Sequence, residues 1–134
     1  MASHALQDHT GEVELLIDGA TVNDVFVEAA RALADLIGTP AGGLPGEWRA
    51  VTIHARDREA LLVAWLDELI ARTEIDRLRY ADVSIDELTP QRLRARVRGT
   101  PIGESRTAVK AATLHRIRVD SGPDGASATV VLDV

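Results

Sequence analysis

Between Gly11 and Gly19 the chain alternates, with Val13, Leu15 and Ile17 set against Glu12, Glu14 and Asp18, which predicts a half-buried strand. From Thr21 the period changes to that of a helix. Val22, Val25, Phe26, Ala29, Ala30, Leu33, Leu36 and Ile37 fall on one apolar stripe. Thr21 and Asp24 have the spacing of an N-terminal capping box, and Gly38 predicts the stop. The following run, GTPAGGLPGEW, is dense in Gly and Pro and reads as a loop. Val51 and Ile53 alternate within Arg49 to Ala55, a second strand, and Asp57 is placed to cap a second helix. The apolar face of that helix is Leu61, Leu62, Trp65, Leu66, Leu69 and Ile70.

After Thr73 the period returns to two. Arg79 to Leu88 and Gln91 to Gly99 predict a hairpin turned through Glu87, Leu88, Thr89 and Pro90. With Ile85 across from Leu93, Val83 meets Ala95 and Ala81 meets Val97 on the buried face. The same register sets Asp86 opposite Arg92, Ser84 opposite Arg94 and Asp82 opposite Arg96 outside. Opposite-charge pairs of this kind contribute about 0.2–1 kcal/mol each. They give the row Arg92, Arg94, Arg96 and Arg98 a sufficient structural explanation, with contact to RNA or an acidic partner as the less favoured reading. Thr107 to Val119 and Ala126 to Val134 supply two more strands around the turn 120–125. The predicted fold is α+β, two helices packed on a mainly antiparallel sheet in the order β-α-β-α-β-β-β-β. A length of 134 residues fits a single domain, 1–134.

Composition narrows the chemistry. The chain has no cysteine, which excludes disulfides, thiolate metal sites and thiol nucleophiles. Its aromatic residues are Phe26, Trp48, Trp65 and Tyr80, so the core must be aliphatic. No apolar run approaches the ~20 residues of a membrane span, and MASHALQDH lacks the layout of a signal peptide, so the expected location is cytoplasmic with no membrane contact. A net charge of −6 argues against tight binding of RNA by the chain itself. A role in RNA processing would run through a protein partner, with RNA met only indirectly.

There is no phosphate-binding loop, nucleophile elbow or zinc-protease helix motif. A scattered polar set remains. Asp8, His9, Thr10 and Glu12 lie before and inside the first strand, Lys110 is the chain's one lysine, and Asp133 interrupts the apolar closing strand. A half-buried carboxylate needs a cation or good donors to stay ionised. Asp133 with Asp8 or Glu12 would make an oxygen-only pair, which favours Ca²⁺ or Mg²⁺ over zinc. The competing reading has Asp133 facing solvent near a frayed end. His115 shares the parity of Ile117 and Val119, which predicts an inward side chain, and Lys110 has the opposite parity unless a bulge re-aims the strand. His4 and His54 have no companions that suggest chemistry.

Taken together, DHTGEV, LLVAWLDELI, TAVKAATLH and the terminal VLDV resemble, in order and spacing, the archease family. The resemblance spans nearly the whole chain. It implies a small cytoplasmic protein that is not itself an enzyme and that serves as cofactor of an RtcB-type RNA ligase. Such ligases guanylylate their own active-site histidine and join RNA ends in tRNA splicing and RNA repair. The cofactor is implied to speed guanylylation and permit multiple turnover. Carried over residue by residue, the family's functional cluster is Asp8, Glu12, Lys110 and Asp133, with Asp8, Glu12 and Asp133 as ligands of a divalent cation and Lys110 as the functional lysine. Two departures stand out. Gly11-Glu12 replaces the family's Ala-Asp, which lengthens one acid by a methylene, and Leu114 replaces a tyrosine. Two other functions fit the same residues: a small metal-dependent hydrolase using the acids on a phosphate ester, and a non-catalytic binding module using the arginine row.

Overall fold

The computed structural model describes residues 2–9 and 11–134, and the side chains of all of these except 7–9. Ten elements follow one another: β1 (Ser3–His9), β2 (Glu12–Gly19), α1 (Val22–Ile37), β3 (Gly38–Pro40), β4 (Arg49–His54), α2 (Arg58–Asp76), β5 (Leu78–Thr89), β6 (Arg92–Ser105), β7 (Ala111–Gly122) and β8 (Gly125–Asp133). The class is α+β, and every strand pairing is antiparallel. Two elements were not expected, β1 and the three-residue β3. The strands also form two sheets instead of one. The first runs β1-β2-β8-β7, and in the second β6 is central, with β5 on one edge and β4 and β3 along its length.

The helices explain the two sheets. Both α1 and α2 touch strands of each sheet, so they form a layer between them. For α1 this means burial nearly all round, including Val25, Phe26, Ala29, Ala32, Leu33 and Leu36. A helix apolar on all sides must be covered on all sides. Its expected capping box is present: Thr21 Oγ1 accepts from the Asp24 amide, and the Asp24 carboxylate accepts from the Thr21 amide, both at 3.2 Å. At the other end, Arg79 on β5 supplies the cation that the last turn of α1 lacks. Its Nε donates to the carbonyls of Gly38 (3.1 Å) and Ala34 (3.4 Å), and its Nη2 meets the Asp35 carboxylate at 2.7 Å. Gly38 is required by closeness, since a Cβ there would lie 2.6 Å from the carbonyl oxygen of Glu104.

Trp65 of α2 is fully buried, and its indole N–H donates to the Phe26 carbonyl at 3.0 Å, which ties the two helices together. Asp57 caps α2 through the Ala60 amide at 2.8 Å, and the helix ends on Arg77 in the left-handed region, φ 59°. His4 of β1 reaches the buried Glu28 of α1 at 2.6 Å, a companion the sequence did not reveal.

The hairpin register differs from the one expected. Val83 lies across from Val97, Ile85 from Ala95 and Ser84 from Arg96, two residues along. The connection is the tight Pro90–Gln91 instead of a four-residue turn, and a bulge near Glu87 absorbs the rest. An even shift keeps each side chain on its predicted face. The arginine row is outward, and three of its four members are paired, Arg92 with Glu87, Arg96 with Asp86 and Arg98 with Asp82. Arg98 also lies 4.6 Å above the Trp48 ring. Such exposed pairs are worth about 0–1 kcal/mol each.

Two expectations follow. Trp65→Phe removes the indole N–H bond between the helices and part of a fully buried ring, and equilibrium denaturation should show a loss of about 1–3 kcal/mol. Tyr80, the one tyrosine, is buried, and its hydroxyl donates to Asp76 at 2.7 Å; burial, and then the Asp76 carboxylate, push it up to about 12. Ultraviolet titration should place phenolate formation near that value instead of the usual 10. Because the folded value is the higher one, this contribution to stability is fully present below pH ~10 and is lost as pH rises through the folded value.

Candidate functional site

β8 lies between β2 and β7, and its far end meets the start of both neighbours. The register sets His9 beside Glu12, Glu12 beside Asp133, and Asp133 beside Ala111 in one row across the sheet. The next row runs Asp8, Val13, Leu132, Ala112. Two further bonds lock this end: the Lys110 amide donates to the Asp133 carbonyl at 2.8 Å, and the Val134 amide to the Gly11 carbonyl at 3.2 Å. Segments 8–12, 110–112 and 132–134 are therefore adjacent at the level of the backbone. The side chain of Asp8 lies outside the described residues.

Residues directly opposite in such a pair present side chains to the same face about 5 Å apart. Glu12 and Asp133 thus stand opposite each other on one face of the sheet, both half-buried. No motif along the chain announces what answers Glu12. Between Thr113 and Arg118, β7 takes five steps while β8 takes two, from Val131 to Thr129, a bulge of three extra residues. Inside it Arg116 adopts φ 58°, and its Nη2 reaches Glu12 at 3.4 Å while Nη1 lies 3.9 Å from Glu14. The guanidinium thus bridges Glu12 and Glu14. No glycine or asparagine marks that left-handed position, so no sequence signal identified it.

The bulge also corrects two expectations. His115 is exposed, because the extra residues break the parity that predicted an inward side chain. Lys110 is not on the penultimate strand: β7 begins at Ala111, and Lys110 closes the irregular segment before it, with its side chain exposed. It lines a cleft with Thr73 and Glu74 of α2. On the far edge of β7 the Ala112 amide donates to the Asp67 carboxylate of α2 at 2.7 Å, which fixes the strand next to Lys110. Burial raises the Asp67 carboxyl above its ordinary value, and the amide bond partly offsets this.

The fit to a divalent cation can be judged from these donors. A hard cation takes six or more oxygens. Among the described residues no group of three His, Asp or Glu side chains could hold a metal ion. Glu12 and Asp133 are only two, and Glu12 is already engaged by Arg116. These residues do not make a cation site by themselves. No helix among the described residues is long and apolar enough to cross a membrane.

A whole-chain fold that brings two acids and a lysine-bearing segment to one sheet end can be set beside known proteins. The chain matches the Archease protein family (MTH1598/TM1083) over residues 4–134, and it belongs to that family. The protein archease of Methanosarcina acetivorans is 29% identical over 136 residues, covering 95% of this chain and 92% of its own. That of Methanopyrus kandleri is 33% identical over 120 residues, 84% of this chain and 86% of its own. The solution structure of Methanobacterium thermoautotrophicum protein 1598 superposes with a TM-score of 0.78 at 28% identity, covering 98% of each chain. An archease from Thermotoga maritima, described as a possible chaperone, shares the fold with a TM-score of 0.68 at 20% identity, covering 98% of this chain and 100% of that one.

If Arg116 holds the place of a cation, Arg116→Gln should bind Ca²⁺ or Mg²⁺ more tightly than the parent in a calorimetric titration. Its loss of stability should stay below about 1 kcal/mol, as for other exposed pairs. Equal metal affinity in the two proteins would show that the guanidinium does not compete.

Proposed function

We propose that this protein activates an RtcB-type RNA ligase by direct contact, promoting ligase guanylylation and repeated turnover in tRNA splicing or RNA repair, without joining RNA itself. The reading rests on family membership and on one structural observation, the row that sets Glu12 beside Asp133 with Lys110 bonded to Asp133 through its amide. The residues that the family resemblance singles out come from three distant segments, and a fold that gathers them gives them a common task. Lys110 offers an exposed ammonium to a phosphate or carboxylate of the ligase as a point charge. The acidic balance of the chain suits docking on a basic, RNA-handling enzyme in the cytoplasm. The description of the Thermotoga relative as a possible chaperone is compatible, since an activator also works on another protein. A divalent cation at Asp8, Glu12 and Asp133 belongs to the same proposal, and to bind there it would have to draw Glu12 away from Arg116.

Adding the protein to an RtcB-type ligase with GTP and a divalent metal tests this. Guanylylation should accelerate and turnover should become multiple. Lys110→Arg and Asp133→Ala, each folded by circular dichroism, should lose stimulation at least tenfold. Undiminished stimulation by both variants would sink the site. Release of phosphate from simple esters by the protein alone would replace activation with hydrolysis.

A further inference from the structure

A second concave surface lies beside the acid pair. A cleft of about 710 Å³ opens between the C-terminal ends of α1 and α2 and the segment 105–110. Its floor is aliphatic, with Ile37 and Ile70 buried and Ile102 and Val109 half-buried, and no aromatic ring lines it. Its rim carries three cations, Arg77, Arg106 and Lys110, against one acid, Glu74. In a chain of net charge −6 such an excess is local. Elsewhere arginine is mostly engaged: among the described residues nine arginines make ion pairs, and none of these three cations does.

The backbone fixes all three cations while their side chains stay exposed. Arg77 occupies the left-handed cap of α2, with its amide on the Thr73 carbonyl at 2.8 Å. That position ordinarily favours glycine, and here it carries a guanidinium to the rim. The Arg106 amide donates to the Ile37 carbonyl at 2.8 Å, and Lys110 is held by Asp133. A smaller hollow of about 190 Å³ also borders on Arg106, lined by Leu6, Ala32 and Leu36 together with His4 and Asp35, with Leu6 46% exposed. Arg106 therefore stands between the aliphatic cleft and a smaller recess of mixed character.

An aliphatic floor under three rim cations suits a chain segment that carries both acids and aliphatic side chains. Nucleic acid would want aromatic faces for its bases, and the cleft has none. We propose that the cleft docks an extended acidic segment of a partner protein, with carboxylates on Arg77, Arg106 and Lys110 and aliphatic side chains on the cleft floor. Guanidinium forks match carboxylates bidentately, and the rim's exposure makes the contact sensitive to salt. The proposal does not rest on the ligase reading, because binding is read on this protein alone.

The test is an amide NMR titration with an end-blocked pentapeptide that alternates leucine with aspartate and glutamate. Its control replaces the acids by asparagine and glutamine. Shifts should centre on Arg77, Arg106, Thr107 and Val109, weaken with added salt and be absent with the control. The double variant Arg77→Gln/Arg106→Gln, with an otherwise unchanged spectrum, should bind at least tenfold more weakly. Equal binding of acidic and neutral peptides, shifts elsewhere, or parent-like binding by the double variant would overturn the proposal. So would an oligouridylate or ATP that moves the same amides at lower concentration than the peptide, since that would assign the cleft to phosphate.

Discussion

β8 is hydrogen-bonded along both edges, to β2 on one side and β7 on the other, and the candidate site exists only through that double pairing. Ala126, Ala128, Val130 and Leu132 are buried along one face of it, with Ser127 and Thr129 half-buried on the other, so sliding the strand by one residue would turn polar side chains into the core. The position of Asp133 against Glu12 is thus set by the core and not by any attraction between the acids, which repel. Arg116, 104 residues away from Glu12 in sequence, adds an exposed ion pair to that carboxylate.

Arginine plays this part repeatedly. Arg79 closes the C-terminal end of α1, Arg72 holds Glu68 at 2.7 Å on α2, and Arg116 spans Glu12 and Glu14. The planar fork suits each of these places because it can face two acceptors at once. The single lysine is spared such duty among the described residues. It closes the segment that joins the acid row to the cationic cleft, with its amide in the sheet and its side chain at the rim.

The parts that could be read from the chain are those with local grammar. Thr21 with Asp24, Asp57 and Gly38 marked the helix ends, and the apolar stripes named the core faces, because caps and periodicity act over a few residues. β1 escaped because Leu6 is its only large aliphatic residue and is half exposed, so alternation is faint. The split into two sheets escaped because alternation says which face is buried but not which strand lies alongside. The hairpin slipped by two residues because the bulge near Glu87 has no glycine to announce it. For the site, the adjacency of residues 8–12, 110 and 133 was legible through family resemblance, whereas Arg116, His115 and the cleft cations depended on irregular backbone that no pattern encodes.

The bulge in β7 has a consequence beyond the acid pair. β7 is an edge strand, and open edges invite other strands to add to them. Here the Ala112 amide is taken by Asp67, and between Thr113 and Arg118 the chain leaves the ladder. Another polypeptide arriving at this border finds few backbone groups in register to zip onto. Recognition on this side of the molecule is left to side chains, so it can be specific to a partner's chemistry in a way that strand addition is not.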